Sequence, residues 1–133
     1  MTTAIDTNVL VRLLVDDDPR QSAAAKALLS AAEAAGSPVI VPLLVILETA
    51  WVLGSRYKHA KPMVIQALQA VLEATDAAVE DEATLEEALH LWKHHAADFA
   101  DCLIAAKAAR LGCTRFATFD EKAAKLPGAE LLA

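Results

Sequence analysis

"PVIVPLLVILETAWVL", Pro38 to Leu53, decides the fold. Its first four residues form an unbroken apolar run after a turn, which is how a strand covered on both faces reads. The remainder, plotted at about 100° per residue, carries apolar side chains on every side of a helix. Glu48 stands inside it with no polar face to share. A carboxylate taken out of water alone is disfavoured by several kcal/mol, so Glu48 is expected to be protonated, paired, hydrogen-bonded or bound to a cation. The plainer alternative is an acid at the edge of the sheet, reaching solvent past Ser55 or pairing with Arg56.

The same alternation extends in both directions from this segment. Thr2 to Ile5 is a short strand candidate, and "TNVLVRLL" continues as a helix after Asp6. In "VDDDPRQSAAAKALLSAAEAAG", Asp18 caps a helix, Pro19 takes its first position, Gln21 completes a capping box and Gly36 ends it. Residues 61–74 predict another helix and 77–80 ("AAVE") a strand. "EATLEEALHLWKHHA" predicts a helix with Leu85, Ala88, Leu89, Trp92 and Ala96 on one side. "DFADCLIAAKAARLG" predicts the next helix, closed by Gly112, and "TRFATF" is rich in strand formers. A last strand lies in "AELLA", short because little chain follows Asp120. Strands separated by helical crossovers indicate a three-layer α/β/α sandwich with a short-stranded, mainly parallel central sheet, in one domain over residues 1–133.

Composition narrows the function. Few aromatic residues argue against a base-stacking platform. The start "MTTAIDTN" has no basic or apolar leader pattern, and the longest apolar stretch is shorter than the roughly 20 residues of a membrane span. A cytoplasmic chain is expected, with Cys102 and Cys113 as reduced thiols. Against 18 acidic residues there are 12 Lys and Arg, so the net charge of −6 opposes nucleic-acid binding by charge alone.

In parallel α/β folds ligands sit beyond the carboxyl ends of the strands. Asp6 and Asp120 fall at two such ends, while Glu48 and Asp101 can approach the same rim from the helices. Asp101 shares a helical face with Ile104, Ala105, Ala108 and Gly112, and Lys107 and Arg110 are turned away. Asp98 lies near that face, where it also reads as a helix cap. Singly, Asp6 and Asp120 read as turn or capping residues and Asp101 as a first-turn acid. Together in one cleft they repel unless some ionise poorly or a hard cation with oxygen ligands, Mg²⁺ or Mn²⁺, neutralises them.

"AIDTNVL", "ILETAWVL", "DFADCLIAAKA" and "TFD" together resemble the PIN-domain ribonucleases, in particular VapC-type toxins of toxin–antitoxin pairs. The resemblance runs from Asp6 to Asp120 in the family's order. It implies a PIN-like fold and a Mg²⁺- or Mn²⁺-dependent endoribonuclease whose acids correspond to Asp6, Glu48, Asp101 and Asp120, with Asp98 as an additional metal ligand. Thr7, Asn8 and Thr118 match small polar residues lining such a site. It also implies 5′-phosphate and 3′-hydroxyl products, inhibition by a cognate antitoxin, and a homodimer, for which the apolar helix at 43–53 offers a surface.

Arg12, one turn after Asn8, can reach an RNA backbone, as can Arg56 and Lys58 in the run Arg56, Tyr57, Lys58, His59, Lys61. That run also reads as a solvated helix end. His90, His94 and His95 have partial zinc spacing, but His90 and His94 face away from the Leu85 side and no Cys or third ligand is near in sequence. The rival enzyme class is a strand-end aspartate phosphotransfer protein or phosphatase. It requires a second aspartate at position 8, where Asn8 stands, or a late-strand lysine that "TRFATFDEK" does not clearly supply. A non-catalytic PIN-like binding module is the third alternative.

Overall fold

The computed structural model describes residues 2–133. The chain divides into two compact units, the first ending at Glu80 and the second running Asp81–Ala133.

The first unit holds α1 (Thr7–Leu14), α2 (Pro19–Ala34), β1 (Val39–Val41), α3 (Leu43–Ser55), α4 (Lys61–Glu73) and β2 (Ala77–Val79). β1 and β2 pair in parallel, Val39 opposite Ala77 and Val41 opposite Val79. The strand expected at residues 2–5 is reduced to a parallel bridge between Ala4 and Ile40. Ile40 N–H donates to Thr3 O at 2.8 Å and Ile5 N–H to Ile40 O at 3.1 Å. Pairing stops there because Asp6 already caps α1, its carboxylate accepting from Val9 N–H at 3.0 Å.

α2 begins and ends as its sequence dictates. Asp18 accepts from Gln21 N–H at 3.0 Å, and Pro19 fills the first turn where no N–H is needed. At the far end Gly36, at φ +71°, lets Gly36 N–H reach Glu33 O and Ser37 N–H reach Ala32 O, both at 2.9 Å. α3 starts differently. Pro42 supplies no side-chain cap, and Glu80, directly after β2, accepts from Leu43 N–H at 2.8 Å. Parallel pairing of β1 with β2 brings it there, so the sheet itself places a carboxylate at the positive end of α3.

The uniform apolarity of α3 does not translate into burial all round. Ile46, Thr49, Ala50 and Leu53 are buried, whereas Leu44 and Trp51 are 79% and 64% exposed. Leu44, Glu48 and Trp51 recur at helical spacing, so Glu48 lies on the exposed face and not in the core. One helix cannot bury its whole circumference in a layer that covers it from one side.

The second unit holds α5 (Glu82–His94), α6 (Phe99–Arg110), β3 (Phe116–Thr118), a 3-10 turn at Ala123–Lys125 and β4 (Ala129–Leu131). β3 and β4 pair in parallel, Phe116 opposite Ala129 and Thr118 opposite Leu131. Leu85, Ala88 and Leu89 of α5 are buried, as are Cys102, Leu103 and Ala106 of α6, and the Trp92 and Phe99 rings meet at 5.1 Å. Ala96, expected on the buried face of α5, is exposed because the helix stops at His94. Gly112, at φ +89°, ends α6 as expected, with Cys113 N–H reaching Ala108 O at 3.0 Å.

Asp81 opens α5 from a left-handed conformation, φ +56°. Thr84 Oγ1 donates to its Oδ2 at 2.6 Å, Lys107 Nζ to the same oxygen at 2.7 Å, and Arg110 Nε pairs with Oδ1 at 3.3 Å. The Lys107 and Thr84 hydrogen bonds hold its carboxyl down at about 2. The two cations that turn away from the Asp101 face thus clamp α6 to the start of α5.

The α/β class and parallel pairing match the sequence expectation, with the strands forming two two-stranded ladders. Cys102 is buried and Cys113 exposed, and among the described residues they are not joined in a disulfide. Among the described residues no helix is long and apolar enough to cross a membrane.

Candidate acidic site

In the first unit, Asp6, Thr7 and Asn8 form the entry to α1. Capping fixes the Asp6 carboxylate through Oδ1. Thr7, buried at the first helical position, donates its hydroxyl to Glu48 Oε1 across to α3. That contact answers the question Glu48 raised: it is hydrogen-bonded and solvent-facing, and Arg56 is not its partner among the described residues. Asp6, Asn8 and Arg12 of α1, with Gln21, Ala24, Ala25 and Leu28 of α2, line a groove of about 390 Å³.

Arg12 is more tied down than its sequence suggests. Its Nε donates to Gln21 Oε1 at 2.6 Å, and its Nη1 donates to Tyr57 Oη at 3.2 Å and pairs with Asp17 Oδ1 at 3.3 Å. Tyr57 Oη in turn donates to Asp17 Oδ2 at 2.7 Å. The Tyr57 hydroxyl, and next the Asp17 charge, raise the guanidinium's pKa above its ordinary value. Arg56 and Lys58 are exposed.

In the second unit, Asp98 caps α6 by accepting from Asp101 N–H at 2.8 Å. Asp120, just past β3, accepts from Ala123 N–H at 2.8 Å through Oδ1 and donates its own N–H to Thr118 Oγ1 at 3.0 Å. Asp101 is half-buried, and its carboxyl is pushed up by burial first, then by the charges of Asp98 and Asp120. Among the described residues no Lys or Arg forms an ion pair with any of these three acids.

The capping roles anticipated for Asp6, Asp98 and Asp120 are therefore present, and each cap engages Oδ1 alone. Within the second unit, Asp98, Asp101 and Asp120 are oxygen donors with no paired cation among the described residues, so in donor chemistry these three suit Mg²⁺ or Mn²⁺. Among the described residues no three His, Cys, Asp or Glu side chains are grouped closely enough to hold a metal ion. The His90 and His94 rings meet at 4.6 Å, tilted by 54°, on the exposed side of α5. What sequence patterns missed are the Arg12–Asp17–Tyr57 knot and the Glu80 cap. Both join residues far apart in the chain and leave no periodic signal.

The model of one family, the PIN domain, matches residues 3–129. Among solved structures, the chain is similar to VapC20 of Mycobacterium tuberculosis, described as a toxin that cleaves the sarcin–ricin loop. The TM-score is 0.40 and the identity 23%, covering 95% of this chain and 96% of that one. A toxin–antitoxin complex from Klebsiella pneumoniae gives a TM-score of 0.35 and 18% identity over 96% of this chain and 95% of its own. No curated protein sequence matches.

Proposed function

The chain belongs to the PIN domain family, and from that premise we propose that it is a Mg²⁺- or Mn²⁺-dependent endoribonuclease of the VapC toxin type, cytoplasmic and inhibited by a cognate antitoxin. In this proposal residues 1–133 work as one PIN domain. Asp6, Glu48, Asp101 and Asp120 are its catalytic acids, Asp98 is a further metal ligand, and Thr7, Asn8 and Thr118 are supports. The observation that carries it is the state of Asp101: a half-buried carboxyl crowded by Asp98 and Asp120, with no Lys or Arg ion-paired to the group among the described residues.

Each residue has a definite task. Asp98 and Asp120 hold their rotamers by capping through one oxygen, which leaves the other oxygen to a cation. Asp101 adds the charge that makes a cation favourable there. Thr7 orients Glu48 by donating to one carboxylate oxygen, and the Asp6 cap fixes the carboxylate at the head of α1. A divalent cation, when bound, supplies Lewis-acid polarisation of a phosphate and a water-derived nucleophile at neutral pH. Attack by water, not by the ribose 2′-hydroxyl, leaves 5′-phosphate and 3′-hydroxyl ends. No histidine base is required.

The proposal extends to a homodimer with α3 at its interface, supported by the exposure of Leu44 and Trp51 on one face. Activity is tested on purified chain with structured RNA. Cleavage is expected with Mg²⁺ or Mn²⁺, none with excess chelator, and none with Asp101→Asn despite an unchanged circular dichroism spectrum. Equal cleavage in chelator would refute metal dependence. A base-labile phosphate on Asp6 would instead favour the phosphotransfer class.

A further inference from the structure

Between Glu48 and Glu73 the sequence holds no acidic residue, while Arg56, Lys58 and Lys61 fall in one short run. In a chain of net charge −6 this is a local reversal of sign. The run forms a fixed loop after α3. Arg56 and Tyr57 N–H groups both bond Val52 O, at 2.9 and 3.3 Å, and His59 N–H bonds Leu53 O at 3.0 Å. Lys58 takes a left-handed conformation, φ +56°, uncommon for a residue with a side chain. Arg56 and Lys58 are exposed, and among the described residues neither has an ion-pair partner.

Two long-range contacts set this loop against the acids of its own unit. Thr7 reaches Glu48, and Arg12 reaches Tyr57. Both contacts join α1, or its C-terminal turn, to α3 or the loop it leads into, and both advance in the same direction. At about 1.5 Å per residue, the five steps from Thr7 to Arg12 along α1 and the seven from Glu48 to the end of α3 at Ser55 put the loop roughly 8 to 11 Å from the Asp6 and Glu48 end. A stacked strand carries one phosphate per about 3.4 Å, so this is a reach of about two to three nucleotides.

We propose that residues 56–61 grip the RNA backbone through Arg56 and Lys58, and that Arg12, Asp17 and Tyr57 form a latch that positions them. The inference rests on the nuclease reading for its substrate and reassigns Arg12 from backbone contact to positioning residue. Arg12 also neutralises Asp17, which would otherwise present a bare carboxylate beside the phosphate path.

The test is fluorescence anisotropy of a 5′-fluorescein single-stranded RNA oligonucleotide with full chain carrying Asp101→Asn, which keeps the RNA intact. Adding Arg56→Gln with Lys58→Gln is expected to weaken binding roughly tenfold and to lower the slope of log K against log salt by about 1.4, two contacts' worth. Lys26→Gln with Lys93→Gln, the same charge change elsewhere, is expected to shift affinity less than about twofold. In the cleaving chain, Tyr57→Phe is expected to raise KM several-fold with kcat unchanged. RNA affinity indifferent to Arg56 and Lys58, or an equal loss in the Lys26 and Lys93 control, overturns the grip. An unchanged KM in Tyr57→Phe overturns the latch. A wild-type chain that cuts nothing with Mg²⁺, yet whose RNA binding depends on the loop, refutes the nuclease reading and upholds the grip.

Discussion

Thr49 offers the sharpest test of how α3 is built. Its side chain is fully buried at 0% exposure, and its Oγ1 has no hydrogen-bond partner among the described residues. An unsatisfied buried hydroxyl costs about 1–3 kcal/mol, and valine replaces it with a methyl of nearly the same shape. Thr and Val share β-branching and nearly equal helix propensity, so the backbone contributes little to the difference. Thr49→Val is therefore expected to stabilise the chain by about 1–2 kcal/mol. Thr49→Ser keeps the orphaned hydroxyl and loses a buried methyl, so it should fall below wild type by about 1 kcal/mol. Thr49→Ala loses both, and the two effects largely offset. The expected order is Val, then wild type with Ala close to it, then Ser. Urea unfolding followed at 222 nm measures it, with an unchanged m-value as the sign that only stability moved. Glu48 points the other way, to the exposed face, so the RNA cleavage rate of Thr49→Val should match wild type. A valine variant less stable than wild type would mean the hydroxyl has a partner and refute the account of this helix.

The remaining predictions concern charge and assembly. If Asp98, Asp101 and Asp120 hold a cation, Mg²⁺ at ten times its dissociation constant should add about 1.4 kcal/mol to the wild-type chain, and much less to Asp101→Asn, in a thermal melt. The raised Asp101 pKa means the folded state binds that proton more tightly than the unfolded chain does. Metal-free stability should thus decline as pH rises from the ordinary carboxylate pKa to the raised one, and Asp101→Asn should remove that decline. Asp81 has the opposite sign: its pKa is lowered to about 2, so its contribution is present above the ordinary carboxylate range and lost as pH falls toward 2. Asp81→Asn should flatten that acid limb of the urea midpoint against pH. Leu44→Glu with Trp51→Glu should convert a dimer to monomer in light scattering, whereas a wild-type chain already monomeric would rule out the α3 interface.

Legibility in the sequence followed the range of the interactions. α2 could be read almost to the residue, because Asp18, Pro19 and Gly36 act within a turn of where they stand. Gly112 fixed the end of α6 for the same reason. The first strand was overestimated because nothing local says how soon the Asp6 cap takes over from pairing with Ile40. The sequence marked α3 as apolar on every side but could not say which sides are covered, since periodicity counts side chains without knowing what packs against the helix. The Glu80 cap, the Arg12 latch and the Lys107 clamp on Asp81 depend on partners 26 to 45 residues apart. No local pattern contains them.

The acid positions were legible for a different reason: each has a local duty as well as the proposed one. Asp6, Asp98 and Asp120 are caps, and a cap requires a short acceptor at one position of the chain whatever else it does. Capping alone would accept Ser, Thr or Asn at those places, and Asp101 and Glu48 cap nothing. What capping leaves unexplained is therefore the charge. Burial first, and then the charges of Asp98 and Asp120, raise the pKa of Asp101, and Glu48 sits on an otherwise apolar helix face between Leu44 and Trp51, where a neutral residue would fit as well. Within the second unit Asp98, Asp101 and Asp120 crowd like charge that a bound cation would relieve, and the metal-dependent thermal melt measures that gain directly.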